Sequence, residues 1–176
     1  MPVNVEIKAR ATDWAEQVRR GLALADRTER LFQDDTFFNC ANGRLKLRRE
    51  RGAGARLIFY RRAGLKGPKT SDYVLLPVRD GASALKRLTR ALGAVKRVLK
   101  KRLVCHAGRT RIHFDEVRGL GRFIELEVVL RQGESAAAGR REAARLMRAL
   151  GIRRADLLAG AYADMPADHS RRGPRC

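Results

Sequence analysis

The stretch Asn4-Val5-Glu6-Ile7-Lys8-Ala9-Arg10 decides how the chain is read. In an extended strand alternate side chains point to opposite faces. Asn4, Glu6, Lys8 and Arg10 therefore share one face, and Val3, Val5, Ile7 and Ala9 the other. The apolar face needs a core. The polar face gathers an amide, an acid, an amine and a guanidinium within reach of one another. A single strand of this kind fits the wet face of an ordinary sheet. Its recurrence along the chain is what makes it informative.

Beyond Arg10, Thr12 and Asp13 can cap a helix to about residue 25, with Trp14, Val18 and Leu22 on one side. Leu31 to Asn39 reads as a strand, and Asn42-Gly43 is a strong hairpin dipeptide. Arg44-Leu45-Lys46-Leu47-Arg48 then sets cations on one face and leucines on the other. Strands follow at Arg56 to Arg62 and Ser71 to Val78, separated by a loop over Gly64 to Pro68. Ser83 can cap a short helix to Leu92, with Leu85, Leu88 and Leu92 inward. Val95 to Cys105 is a basic strand, with Lys96, Lys100 and Arg102 on the parity of Val98 and Val104. Thr110 to Val117 puts Arg109, Arg111, His113 and Asp115 on one face, and Arg122 to Arg131 puts Glu125 and Glu127 on one face. A helix from Ser135 to Leu150, a short helical piece near Asp156 and a polar basic tail complete the chain.

About eight hairpin-connected strands result, and eight is the number at which an antiparallel sheet can close around a small ligand. Two arrangements satisfy the pattern. If the apolar faces pack under the helices, the charged faces line a tunnel; otherwise the sheet stays open with one solvated face. Within a tunnel, Lys8, Arg10, Arg44, Lys46, Arg48, Arg62, Lys100, Arg102, Arg109 and Arg111 would meet Glu6, Asp115, Glu125 and Glu127. Converging guanidinium and ammonium groups suit a polyphosphate, whose oxygens match their donors. Carboxylates beside them would repel that anion unless a hard cation such as Mg2+ or Mn2+ bridged the two.

Composition bounds the partners. With 176 residues and 44% hydrophobic content, residues 1–165 are expected to form one domain and 166–176 a disordered basic tail. Thirty-nine Lys and Arg against nineteen Asp and Glu give a formal charge of +20, which favours polyanionic partners. Nucleic acid is one such partner, through Arg140, Arg141, Arg145, Arg148 and the tail, although a solvated helix face explains those residues as well. Cys40, Cys105 and Cys176 form no CxxC and suggest neither a disulfide framework nor a zinc site. Charged residues precede any apolar run, and no run reaches membrane-spanning length, so no membrane association and a cytoplasmic location are expected. Gly64 to Thr70 lacks the glycine spacing of a phosphate-binding loop, and Gly119-Leu120-Gly121 precedes a strand rather than a helix. His113 could act as a base, but a lone strand histidine is more often structural.

The segments NVEIKAR, QDDTFF, GRLKLR, LIFYRR, SDY, VLKKR, GRTRIHFDEVRGLGRFIELEVVL and AGAYADM lie in one order along nearly the whole chain. In them the sequence resembles the CYTH superfamily, the triphosphate tunnel metalloenzymes, and most of all its class IV adenylyl cyclase-like branch. The resemblance implies an α+β fold: a roughly eight-stranded antiparallel barrel around a charged tunnel, helices outside. It implies that Glu125, Glu127 and Asp115, with Glu6, hold Mg2+ or Mn2+. It implies that Lys8, Arg10, Arg44, Lys46, Arg48, Arg62, Lys100, Arg102 and Arg111 bind the phosphates. Lys8 and Tyr60 are the implied catalytic side chains, with Ser71 a further candidate. The family's E-x-E-x-K pattern is met at Glu6 and Lys8, but Asn4 stands at the first acid. Two reactions are implied: hydrolysis of tripolyphosphate, thiamine triphosphate or a nucleotide, and cyclisation of ATP to cyclic AMP and pyrophosphate. A binding module without turnover is a third reading.

Overall fold

A computed structural model describes residues 3–62 and 69–166. Eight antiparallel strands close into a barrel: β1 (Val3–Arg10), β2 (Arg27–Phe38), β3 (Arg44–Glu50), β4 (Gly54–Arg62), β5 (Lys69–Val78), β6 (Ala94–Ala107), β7 (Thr110–Val117) and β8 (Gly121–Val129). Around the barrel they run β1-β5-β4-β3-β2-β6-β7-β8. Five of the pairings are hairpins between consecutive strands. Closure depends on β1, which lies between β5 and β8, and on the long β2–β6 ladder. The loop expected over Gly64 to Pro68, and the tail from 167 onward, lie outside the described residues.

Parity along β1 is resolved as the sequence suggests. Val5, Ile7 and Ala9 point outward, into a core shared with Ile112, Phe114, Ile124, Leu126 and Val128. Helix α1 (Trp14–Ala23) and helix α3 (Ala136–Ala149) cover that core. Asp13 caps α1 by accepting from Glu16 N, and Ser135 caps α3 by accepting from Ala138 N. The buried face of α1 differs from the expected one. Leu22 is exposed at 45%, and Gly21 takes the inward place because a Cβ there would lie 2.4 Å from the Phe114 ring. Gly139 serves α3 in the same way, lying against Val5 and Leu130. Small residues let both helices sit directly on the barrel.

Helix α2 (Gly81–Leu92) packs on β2, β3 and β4. Its cap is Asp80, which accepts from Ala82 N and Ser83 N at 3.0 Å, rather than Ser83. Leu92, expected inward, is exposed at 37%. Gly93 ends the helix at φ 74°, where a side chain would be strained. Strand β2 begins at Arg27, four residues earlier than its apolar run, because backbone pairing to β6 continues to His106 whatever the side chains.

With the apolar faces outside, the polar faces turn inward. One end of the interior is filled by a second apolar cluster of Phe37, Val98, Val117, Leu120, Phe123 and Tyr162. Tyr162 belongs to a short 3-10 turn (Tyr162–Asp164) near the chain's end. The rest of the barrel encloses a cavity of about 480 Å³.

Candidate functional site

The cavity is lined on β1 by Asn4, Glu6 and Lys8, on β3 by Lys46 and Arg48, and on β6 by Lys100 and Arg102. Strands β7 and β8 add Arg111, His113, Glu125 and Glu127. Register explains the grouping: Glu6 lies opposite Glu127, Lys8 opposite Glu125, and Arg111 opposite Glu127. Strands β4 and β5 supply a different wall, of Ile58, Tyr60, Tyr73 and Leu75, in which Tyr60 faces Tyr73 and Ile58 faces Leu75.

The deep part of the cavity holds two ionic clusters. Around Asp35, Arg48 donates from Nε and Nη2 at 2.7 Å and Lys46 from Nζ at 2.9 Å. Around Asp115, Arg102 donates from Nε and Nη2 at 2.6 Å, Lys100 lies at 3.5 Å, and the Tyr162 hydroxyl donates at 2.9 Å. Arg102 also donates to Glu125 at 2.6 Å, and Glu125 holds Lys8 at 3.1 Å. The Lys8 ammonium stands 3.7 Å above the Tyr162 ring, whose face favours a cation. Nearer the mouth Arg111 donates to Glu127 at 2.9 Å, and Gln33 and Arg56 donate to Glu50.

These clusters set the protonation states. Burial disfavours the charged form of Asp35, yet Lys46 and Arg48 outweigh it and hold the carboxyl well below its usual range. Glu125 is likewise held well below that range, burial being overcome by Lys8 and Arg102. Asp115 is lowered to about 2, against burial, by Arg102 and Lys100. The lysines move the other way. Burial and the Arg102 charge bring Lys100 down to about 7, and burial and Arg48 bring Lys46 to about 8. His113 is pushed down by burial and by Arg102. Glu127 is lowered, despite burial, by His113 and Arg111. Tyr162 is raised well above its usual value by burial and by Asp115, so its phenol stays a donor.

The structure brings together most, but not all, of the expected site residues. Glu6, Lys8, Lys46, Arg48, Tyr60, Lys100, Arg102, Arg111, Glu125 and Glu127 line one cavity. Four do not reach the lining, the first being Arg109, which lies at the β6–β7 turn and pairs with Glu134 instead. Arg10 is exposed, with its guanidinium over Phe123, because the apolar plug fills the barrel at that level. Arg44 lies beyond the plug and is paired with Asp164 at 2.7 Å. Asp115 is fully buried behind Arg102 and Tyr162, which occupy its oxygens, so it positions cations instead of facing the cavity. The side chains of Arg62 and Ser71 lie outside the described residues. Asp35, Tyr73 and Tyr162 are site residues that sequence reasoning missed. Asp35 and Tyr73 were accessible through strand parity with Phe37 and Leu75, whereas Tyr162 carries no local signal.

Among the described residues, no three His, Cys, Asp or Glu side chains converge closely enough to hold a metal ion as they stand. The donor chemistry nevertheless fits a hard divalent cation. Glu6, Glu125 and Glu127 share one wall, and Asn4 Oδ1, in a residue only 2% exposed, is buried there without a hydrogen-bond partner.

The CYTH domain family model matches residues 3–162. No curated protein matches the sequence significantly. Among solved structures, the fold is similar to the PH1012 protein from Pyrococcus horikoshii OT3 (TM-score 0.79, 19% identity, covering 92% of this chain and 98% of that one). It is also similar to a putative adenylate cyclase from Vibrio parahaemolyticus (TM-score 0.72, 19% identity, 90% and 94% covered). A third likeness is HpAC1 from Hippeastrum, described as a putative adenylyl cyclase with a dominant triphosphatase activity (TM-score 0.60, 13% identity, 86% and 89% covered).

Proposed function

Because the chain belongs to the CYTH domain family, we propose that its cavity binds a triphosphate-bearing small molecule together with a divalent cation, and hydrolyses it. One observation carries this reading: buried Lys8, Lys100 and Arg102 and half-buried Lys46 and Arg48 converge on a cavity that also presents Glu6, Glu125 and Glu127. Such a set is costly to bury, and each of these cations is paired with a carboxylate that an anionic ligand can replace.

Lys8, Lys46, Arg48, Lys100 and Arg102 bind the phosphate oxygens and neutralise charge that builds on the leaving phosphate. The apolar plug around Phe37 and Phe123 closes the cavity behind them and keeps bulk water from that end. Glu6, Glu125 and Glu127, with the Asn4 amide oxygen, would hold a divalent cation, which would supply Lewis-acid polarisation of a phosphoryl oxygen. Asp115 and Tyr162 position Arg102 and Lys100 rather than touching substrate. The Tyr60–Tyr73 wall gives a flat organic group a surface on which to rest, which supports thiamine triphosphate or a nucleotide over inorganic tripolyphosphate.

The same wall supports a second outcome with ATP. Attack by the ribose 3′-hydroxyl on the α-phosphorus would give cyclic AMP and pyrophosphate, where attack by water on the terminal phosphorus gives orthophosphate. Product analysis decides. The purified protein would be offered tripolyphosphate, thiamine triphosphate and ATP, each with Mg2+ or Mn2+, beside Glu127→Ala as the blank. Orthophosphate that falls by about a hundredfold or more in the variant supports hydrolysis, and the fastest substrate names its class. Cyclic AMP with pyrophosphate replaces that reading with cyclisation. Tight binding without either product leaves a receptor, and no binding overturns the proposal.

A further inference from the structure

The described lining of the tunnel holds seven Lys and Arg against six carboxylates, so it accounts for only one of the chain's twenty surplus positive charges. Part of the surplus borders a second concavity. On the outer face of the barrel, a groove of about 630 Å³ runs beside the β7–β8 turn. Phe32, Leu99, Lys101, Glu116, Arg118 and Arg122 line it.

Three features distinguish this groove from a solvated patch. Phe32 is exposed at 37%, although it projects from the middle of β2, where a phenyl ring would normally be covered. Arg51 stands 5.2 Å from the ring centroid and extends it into a cation-bearing platform. Lys101 is the register partner of Phe32 across the β2–β6 ladder. Lys101 and Arg118 are both exposed, and neither is in an ion pair among the described residues. Of the groove's other cations, Arg122 is answered by Glu116 at 3.2 Å and Lys100 by Asp115 at 3.5 Å.

We propose that this outer groove binds single-stranded nucleic acid, with Phe32 and Arg51 stacking an unpaired base and Lys101 and Arg118 meeting the flanking phosphates. Unpaired cations alone would accept any polyanion. The exposed ring selects one that also carries flat π-faces, because stacking on an aromatic side chain rewards a base and not a carboxylate. A duplex hides its bases in the stack and offers the ring nothing. The two concavities share only Lys100, which turns to Asp115 inside the barrel, and the residues assigned here, Phe32, Lys101 and Arg118, lie outside the cavity lining.

Fluorescence anisotropy with the full chain tests this, using a 3′-labelled single strand of about fifteen nucleotides with a 5′-hydroxyl, a size matched to known single-strand sites. Between about 50 and 200 mM salt, log K should fall linearly with log salt, and Lys101→Ala and Arg118→Ala should each make the slope shallower by about 0.7. Phe32→Ala should weaken binding by about tenfold. Saturating tripolyphosphate with Mg2+ should leave the bound strand in place. An unchanged thermal unfolding midpoint and unchanged tunnel turnover in all three variants would exclude a folding defect. No binding, binding that all three variants retain, or displacement by tripolyphosphate would each overturn the proposal. So would an acidic peptide or an acidic-lipid vesicle that binds as well as the oligonucleotide and is indifferent to Phe32→Ala.

Discussion

Asp34 and Asp35 are neighbours on β2 that lead opposite lives. Each is gripped by two cations: Asp34 by Arg49 and by Arg97 at 2.8 Å, Asp35 by Lys46 and by Arg48 at 2.7 Å. One turns outward, where the Arg97 side chain is 59% exposed. The other turns into the barrel, where Asp35 is 2% exposed and the Lys46 and Arg48 side chains are 13% and 14% exposed. The bonds are alike, but water competes more freely for the outer set, whose Arg97 is largely exposed, than for the inner one. The outer cluster is therefore surface chemistry that tolerates change. The inner one is a set of desolvated charges whose partners can be exchanged for those of a phosphate chain.

Removing the aspartate should separate the two most sharply. Asp35→Ala leaves Lys46, Arg48 and Lys100 facing one another without the carboxylate between them, and should cost about 3–5 kcal/mol of folding stability, read from denaturant unfolding. Equal costs at positions 34 and 35 would break the distinction. Next in size, Arg48→Ala should weaken triphosphate binding by about 2 kcal/mol, the scale of a charge-assisted hydrogen bond, measured calorimetrically. Unchanged affinity would place Arg48 outside the binding set.

A pH series sharpens the contrast from another side. Lys100 titrates near 7 and Lys46 near 8 in the folded chain, well below the 10.5 of a free lysine. The unfolded chain thus binds more protons between those values and 10.5, so these two lysines add stability as pH rises through that window. Polyphosphate affinity should run the opposite way, falling as pH climbs past 7 to 8, because the anion needs the ammonium form. Binding at pH 8 should take up protons, visible as a dependence of the calorimetric heat on the buffer. Asp115, lowered to about 2, contributes stability above the carboxylate range that is lost as pH falls towards 2. The smallest effect belongs to the outer cluster: Asp34→Ala should cost about 1 kcal/mol or less, and less again in high salt.

Much of this was readable beforehand. Strand alternation in NVEIKAR, RLKLR and FIELEV assigned Lys8, Lys46, Glu125 and Glu127 to one interior, since period-two alternation fixes a face wherever the opposite face must be buried. Alternation fixes neither depth nor partner. Arg10 and Lys8 share a parity, yet the plug covers the level of one and leaves the other open. Asp115 and Glu125 both read as inward acids, but only the register to Arg102 and the arrival of Tyr162 show that Asp115 is enclosed. Leu22 followed helical spacing and still failed, because Phe114 left room for a glycine and not for a side chain.

The sequence by itself determined the run of hairpin-connected strands and the charged character of one face, because these follow from local periodicity and residue type, while its ordered motifs carried the resemblance that implied a closed barrel. Tertiary structure alone decided which acid faces the cavity, which end is closed, and that the described lining of the tunnel is nearly charge-balanced. Those depend on the register with which β1 joins β5 and β8, and on a tyrosine arriving from 154 residues beyond Lys8. Such long-range placements leave no mark on the segments they bring together.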